Sequence, residues 1–170
     1  NDTTELGIFE AGISMPDEMG YLEPIIRPTI GILTKIGEAH QENFTSLQQK
    51  CMEKMALFVN SNVVIYDEDN DLINRCADMM LLSQKAFSWS RKRSDAQLYI
   101  SKIDVQERKT TIHYSFLRFE HSVDIPFTDE ASIENAIHCL AVLLFLGIHP
   151  REISKRMMML EPVAMRLDVR

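Results

Sequence analysis

The sequence predicts an α/β fold: a mostly parallel sheet flanked by helices, with a small antiparallel sheet beside it. Over roughly the first half of the chain, short β-rich runs alternate with helix-period patterns, the rhythm of βα units. Three β-rich runs then follow one another with no helical stretch between them. Helical patterns return only after those runs. The 170 residues are 45% hydrophobic and 25% charged, ordinary globular proportions that support a core without a disulfide or metal staple.

Taken in order, residues 6–10 read as a strand and 16–26 as a helix, with Met19, Leu22, Ile25 and Ile26 on one face. Pro28 stops that helix. Residues 29–36 form a second strand, apolar at nearly every position, as a strand covered on both faces would be. Ser46 is the expected N-cap of a helix to about residue 58, whose Leu47, Cys51, Met55 and Phe58 repeat at helical spacing. Residues 63–66 make a third strand, Asp69 or Asn70 caps a helix to about residue 80, and 86–89 make a fourth short strand. Residues 98–105, 110–116 and 119–125 are the consecutive strands of the antiparallel sheet. Helices follow at 132–146 and 150–160, the second opening on Pro150, whose missing N–H costs nothing in a first turn. Residues 165–170 look extended.

Composition narrows the function. The net charge is −7, a poor balance for neutralising nucleic-acid phosphates. The one basic cluster, Arg91-Lys92-Arg93, is short and reads as a solvated loop. The densest apolar stretch, 136–148, is interrupted by His138 and reads as a buried helix, not a membrane span. The three cysteines form no C-x-x-C pair, which argues against a zinc site and fits a reducing, cytoplasmic setting. The chain opens without Met or a signal-like segment, so it is expected to be a piece of something longer.

Ligands of open α/β sheets bind where strands end at their carboxyl side. Glu10 closes the first predicted strand and offers a hard oxygen ligand for Mg²⁺, or equally a cap for the next helix. His40 stands just after the second strand. Lys54 lies in the helix that follows, where a lone lysine is ordinarily solvated surface.

Together these residues resemble a known pattern. Phe9-Glu10-Ala11-Gly12, then Thr34-Lys35-Ile36-Gly37-Glu38-Ala39-His40-Gln41-Glu42-Asn43-Phe44, then Lys50-Cys51-Met52-Glu53-Lys54, are similar to the central ATPase domain of the Mur ligases. The resemblance runs from Leu6 to about Arg166. The likeness is greatest to the branch that joins D-alanyl-D-alanine to UDP-N-acetylmuramoyl-tripeptide. Gly7 to Ser14 and Ala39 to Phe44 resemble the type fused ahead of an alanine racemase.

The resemblance implies a P-loop-type nucleotide fold and an ATP-dependent amide-bond ligase of peptidoglycan precursor synthesis, working through an acyl phosphate. It implies that Glu10, His40 and Lys54 hold Mg²⁺ around the ATP phosphates, with Lys54 carbamylated and Lys54 and His40 serving catalysis. Carbamylation turns a cation that would repel the metal into a carboxylate, and needs a neutral amine. Asn135 and Arg166 are implied as nucleotide contacts.

The sequence departs from the family at Ala131-Ser132, where a His-Asn pair is usual, at Lys35, commonly Asn, and at Met55-Ala56, often Gly-Glu. It holds no G-x-x-G-K-(S/T), the loop that cradles β and γ phosphates. In the family that loop lies upstream of the Glu10 strand. Residues 1–170 are therefore expected to be a truncated central domain, without the first strand and phosphate loop, and inactive alone. Two alternatives stay open: a non-catalytic ligase-like module for partner binding, and a ligase of the folylpolyglutamate synthase type.

Overall fold

The computed structural model describes residues 5–37 and 39–161. The chain forms two compact units, 1–64 with 70–86 and 65–69 with 87–170, so it passes from one to the other inside a strand.

In the first unit the helices are α1 (Glu18–Ile26), α2 (Leu47–Ala56) and α3 (Asp71–Met79), and strand β1 (Ile30–Leu33) pairs with β2 (Val63–Tyr66) in a two-stranded sheet. Helix α2 packs against α1 and α3. Its apolar stripe buries Cys51 and Met55 completely, beside Met19 of α1 and Ile73, Cys76 and Ala77 of α3. The caps are local chemistry. Ser46 Oγ accepts the Gln49 N–H at 3.1 Å, and Gln49 Oε1 reaches back to the Thr45 N–H at 2.7 Å, a variant of the reciprocal capping box. Asn70 Oδ1 accepts the N–H groups of Leu72 and Ile73. Gly31 on β1 is required by packing: a Cβ there would lie 2.5 Å from the Phe58 ring. Lys85 Nζ donates to the carbonyls of Phe58, Val59 and Ser61, gathering the turn after α2.

The second unit holds a four-stranded sheet in the order β3 (Trp89–Ser90), β4 (Leu98–Val105), β5 (Thr110–Phe116), β6 (Phe119–Ile125). Strands β3 and β4 run parallel and the other pairs antiparallel, as expected for 98–125. Burial alternates along β5 and places Thr110, Ile112 and Tyr114 in the core. Helices α4 (Glu130–Phe145) and α5 (Pro150–Met157) follow, and α5 packs on β6. Helix α4 ends in a Schellman turn. Gly147, at φ 75°, donates to Leu144 O and the Ile148 N–H to Leu143 O. His138 of α4 is buried, and Trp89 Nε1 donates to its Nδ1 at 3.3 Å. The apolar run around it, expected as a buried helix over 136–148, is helical to Phe145 and buried along one side, with Cys139, Phe145, Leu146 and Ile148 exposed. The basic cluster is only partly the solvated loop expected: Lys92 and Arg93 are exposed, Arg93 meeting Asp95 and Glu68, while Arg91 is half-buried over the Trp89 ring and meets Glu130 at 2.5 Å.

Two predicted strands are corrected. Residues 6–10 form no strand, and Leu6, Ile8 and Phe9 are exposed. A strand exists only through ladder partners, and among the described residues none pairs with this run. The strand expected at 86–89 shifts to Trp89–Ser90, with Ala86 making only an isolated parallel bridge to Val64. Strand β1 is shorter than the expected 29–36. The extended segment expected at 165–170 lies outside the described residues. No helix among them is long and apolar enough to cross a membrane.

Candidate functional site

Three of the five residues singled out by sequence fall in the first unit. Glu10 is exposed on a stretch without regular structure. The chain just after it is tied down. The N–H groups of Ser14 and Met15 donate to Glu18 Oε2 at 2.6 and 3.1 Å. The Ser14 N–H, the Met15 N–H and more weakly the charge of His40 hold the Glu18 carboxyl below its usual range. Asn43 Nδ2 donates to Ser14 O at 2.9 Å, and the Asp17 N–H donates to Glu53 Oε2 of α2 at 2.9 Å. The segment that follows Glu10 is therefore bonded both to the turn after His40 and to α2.

His40 is exposed and sits at φ 58°, the left-handed region, at the start of a 3₁₀ turn over Gln41–Asn43. A non-glycine residue held there costs of the order of 1–2 kcal/mol, and surrounding bonds must enforce it. Asn43 N–H to His40 O and Phe44 N–H to Gln41 O close the turn behind it.

Lys54 lies in the last turn of α2, half-buried, with Nζ 3.4 Å from Lys35 O in the loop that leads to His40. Burial first, and then the positive charge of Lys50, push its amine below the ordinary lysine range. That is the direction carbamylation needs.

Sequence reasoning missed Lys50. It is only 2% exposed, and its ammonium donates to Gly37 O at 2.6 Å and to Ala39 O, with the Phe44 ring 5.8 Å away. One signal was available. Lys50 is one turn before Lys54 and directly borders Cys51 of the apolar stripe, so its stem had to run along the core.

In the second unit Asn135 is exposed in the second turn of α4, and Arg166 lies outside the described residues. Asp129 Oδ1 accepts the Ser132 N–H at 2.9 Å, so Ser132 serves the helix cap. A polar patch unforeseen from sequence stands where β2 ends. Asp69 accepts from Ser90 Oγ and the Arg91 N–H, and Glu68 accepts from Ser88 Oγ. Burial, opposed in part by the Asp69 N–H and reinforced by the Asp69 and Glu134 charges, pushes Asp67 up to about 6.

Among the described residues no three His, Cys, Asp or Glu side chains are gathered around a point that would hold a metal. Of the candidate donors, the Glu10 carboxylate is the hard oxygen type that Mg²⁺ takes, as a carbamate on Lys54 would be, whereas the His40 imidazole is a nitrogen donor more usual for softer metals.

A model of the Mur ligase middle domain matches residues 1–143. The UDP-N-acetylmuramoyl-tripeptide–D-alanyl-D-alanine ligase of Bacillus subtilis is 25% identical over 99% of this chain and 36% of its own length. Its counterpart from Borreliella burgdorferi is 27% identical over 89% of this chain and 32% of its own. The chain thus spans about a third of the length of the curated relatives it matches. Among solved structures, MurF from Acinetobacter baumannii superposes with a TM-score of 0.77 at 19% identity, covering 92% of this chain and 34% of that one. MurF from Thermotoga maritima in complex with ADP gives 0.70 at 17% identity, covering 92% and 36%. At those identities the likeness shows the fold.

Proposed function

We propose a function from a plain premise: this chain belongs to the Mur ligase middle-domain family. It is the nucleotide-handling part of a MurF-type, ATP-dependent ligase of peptidoglycan synthesis. The curated relatives named for that ligation support this, as does the ADP complex of a structural neighbour. In the reaction proposed, the tripeptide carboxylate takes the γ-phosphoryl group of ATP and releases ADP. The amine of D-alanyl-D-alanine then attacks the acyl phosphate carbon, and phosphate leaves as the amide forms.

Within this scheme Glu10, His40 and carbamylated Lys54 hold Mg²⁺, which when bound shields charge on the phosphoryl group being transferred. Asn135 and Arg166 contact the nucleotide. Lys54 carries the proposal. Its amine, depressed by burial and by Lys50, bonds the loop that presents His40, so an amine ready for carbamylation and a metal-binding imidazole share one loop–helix pair. The setting proposed is the cytoplasm. The runs Gly7–Ser14 and Ala39–Phe44 support a natural chain that also carries alanine racemase, which a racemase assay on that chain tests.

The experiment is an ATP-dependent ligation assay on the full natural chain carrying this sequence, with UDP-N-acetylmuramoyl-tripeptide and D-alanyl-D-alanine. Formation of amide product with ADP supports the proposal. No product from a folded chain that still binds a partner protein favours the non-catalytic module, to which Ala131-Ser132 and Ala56 lend some weight. The 170 residues alone hold no G-x-x-G-K-(S/T), and we propose that they do not turn over ATP unaided.

A further inference from the structure

We propose that Lys50 is a positioning residue, a buried clamp that fixes the loop presenting His40; this rests on the assignment of His40 as a metal ligand. An ammonium has three donors and no acceptor, and a lysine is almost never fully buried without partners. Lys50 is 2% exposed and gives two of its donors to Gly37 O and Ala39 O. Its cationic head also stands 5.8 Å from the Phe44 ring, within the range of a cation–π contact. Gly37 and Ala39 precede His40 and Phe44 follows it, so one side chain brackets the histidine on both sides.

The bracketed loop needs such a constraint. It leaves β1, so its carbonyls have no ladder partner and must be satisfied otherwise. His40 is held at φ 58°, a conformation that persists only where the surroundings over-determine it. Helix α2 thus sends two lysines, one turn apart, to the same loop: Lys54 to Lys35 O before it and Lys50 to the carbonyls next to His40. Lys85 offers a contrast. It collects carbonyls in the same way around 58–61, yet that turn carries no candidate site residue, so its loss is expected to affect stability alone.

The test uses the full natural chain and two readouts. In Lys50→Met, which keeps the apolar stem and deletes the donors, the Mg²⁺ concentration for half-maximal ligation, measured in saturating bicarbonate with the intact mass showing Lys54 still carbamylated, rises at least about tenfold, while the rate at saturating Mg²⁺ stays within about threefold. In the same variant without metal, the amides of Asn43 and Phe44 exchange with solvent at least about tenfold faster. Lys50→Gln, which keeps a shorter neutral donor, carries the same measurements should Lys50→Met not fold. Lys85→Met is the comparison for a purely structural carbonyl-collecting lysine. A Mg²⁺ dependence and exchange rates unchanged in the Lys50 variants, with only a lower Tm, overturn the proposal. A Mg²⁺ dependence that responds to His40→Ala but not to Lys50→Met overturns it alone. Indifference to His40→Ala overturns the metal assignment of His40, and the role of Lys50 falls with it.

Discussion

Lys54 and Asp67 are both ionisable groups displaced from their ordinary ranges by burial, in opposite directions of charge. For Lys54 the neutral amine is favoured, and carbamylation consumes that form. In bicarbonate, the intact mass of the full natural chain is expected to rise by one carbon dioxide, and Lys54→Ala to abolish the rise and cut ligation by about a hundredfold or more. An unmodified mass with undiminished activity in Lys54→Ala removes the residue from the site. Asp67 is pushed from 3.8 up to about 6. The folded state therefore holds the proton more tightly than the unfolded state, and stability falls as pH rises through the interval between those values. Asp67→Asn keeps the oxygen that accepts the Asp69 N–H at 2.9 Å and removes the charge. Allowing for solvent at this half-buried site, the variant is expected to gain about 1 kcal/mol over the native chain above that interval and nothing below it. Urea midpoints followed by the fluorescence of Trp89, the single tryptophan, check it. Glu10, His40 and Lys54 were singled out through the short runs that surround them, 9–12, 34–44 and 50–54. Lys50 carried only the weak signal of its place beside Cys51, and Asp67 carried none, since an aspartate ending a strand looks like surface until the loops folding over it are known.

Helix ends and hairpins were the most legible elements, for chemical reasons. Ser46 and Asn70 each spend a side-chain oxygen on orphan N–H groups, and Pro150 opens α5. The three strands from 98 to 125 emerged at their expected bounds, because each pairs with its sequence neighbour. The short or unpaired runs fared worse: 6–10 is not a strand, β1 is shorter than expected and β3 is displaced, whereas β2 emerged at its expected bounds. The turn between β5 and β6 places Leu117 at φ 51° and Arg118 at φ 68°, the signature of a type I′ hairpin built without its preferred residues. Replacing Leu117-Arg118 by Asn-Gly is expected to stabilise the second unit by about 0.5–1 kcal/mol, read as a higher urea midpoint. Gly31→Ala is the opposite case. Its methyl would stand 2.5 Å from the Phe58 ring, so a loss of about 1–3 kcal/mol is expected on overpacking. Thermal unfolding followed by circular dichroism measures it.

At the scale of the whole molecule, the sequence pattern led to the right fold class and family. Length and composition do not register where a chain leaves one compact unit for another. Here the first of three passages falls within β2, at Val64 and Ile65, inside a uniformly buried strand that reads as continuous. The chain spans about a third of the length of the relatives it matches. The central claim is that His40 and Lys54 serve an ATP-dependent D-alanyl-D-alanine ligation. Its most direct test follows ADP release and amide product together in the full natural chain, supplied with ATP, Mg²⁺, UDP-N-acetylmuramoyl-tripeptide and D-alanyl-D-alanine. One ADP released per amide formed, dependent on both substrates and lost in His40→Ala, is the predicted result. ADP release without amide, or equal ligation by His40→Ala, would contradict it.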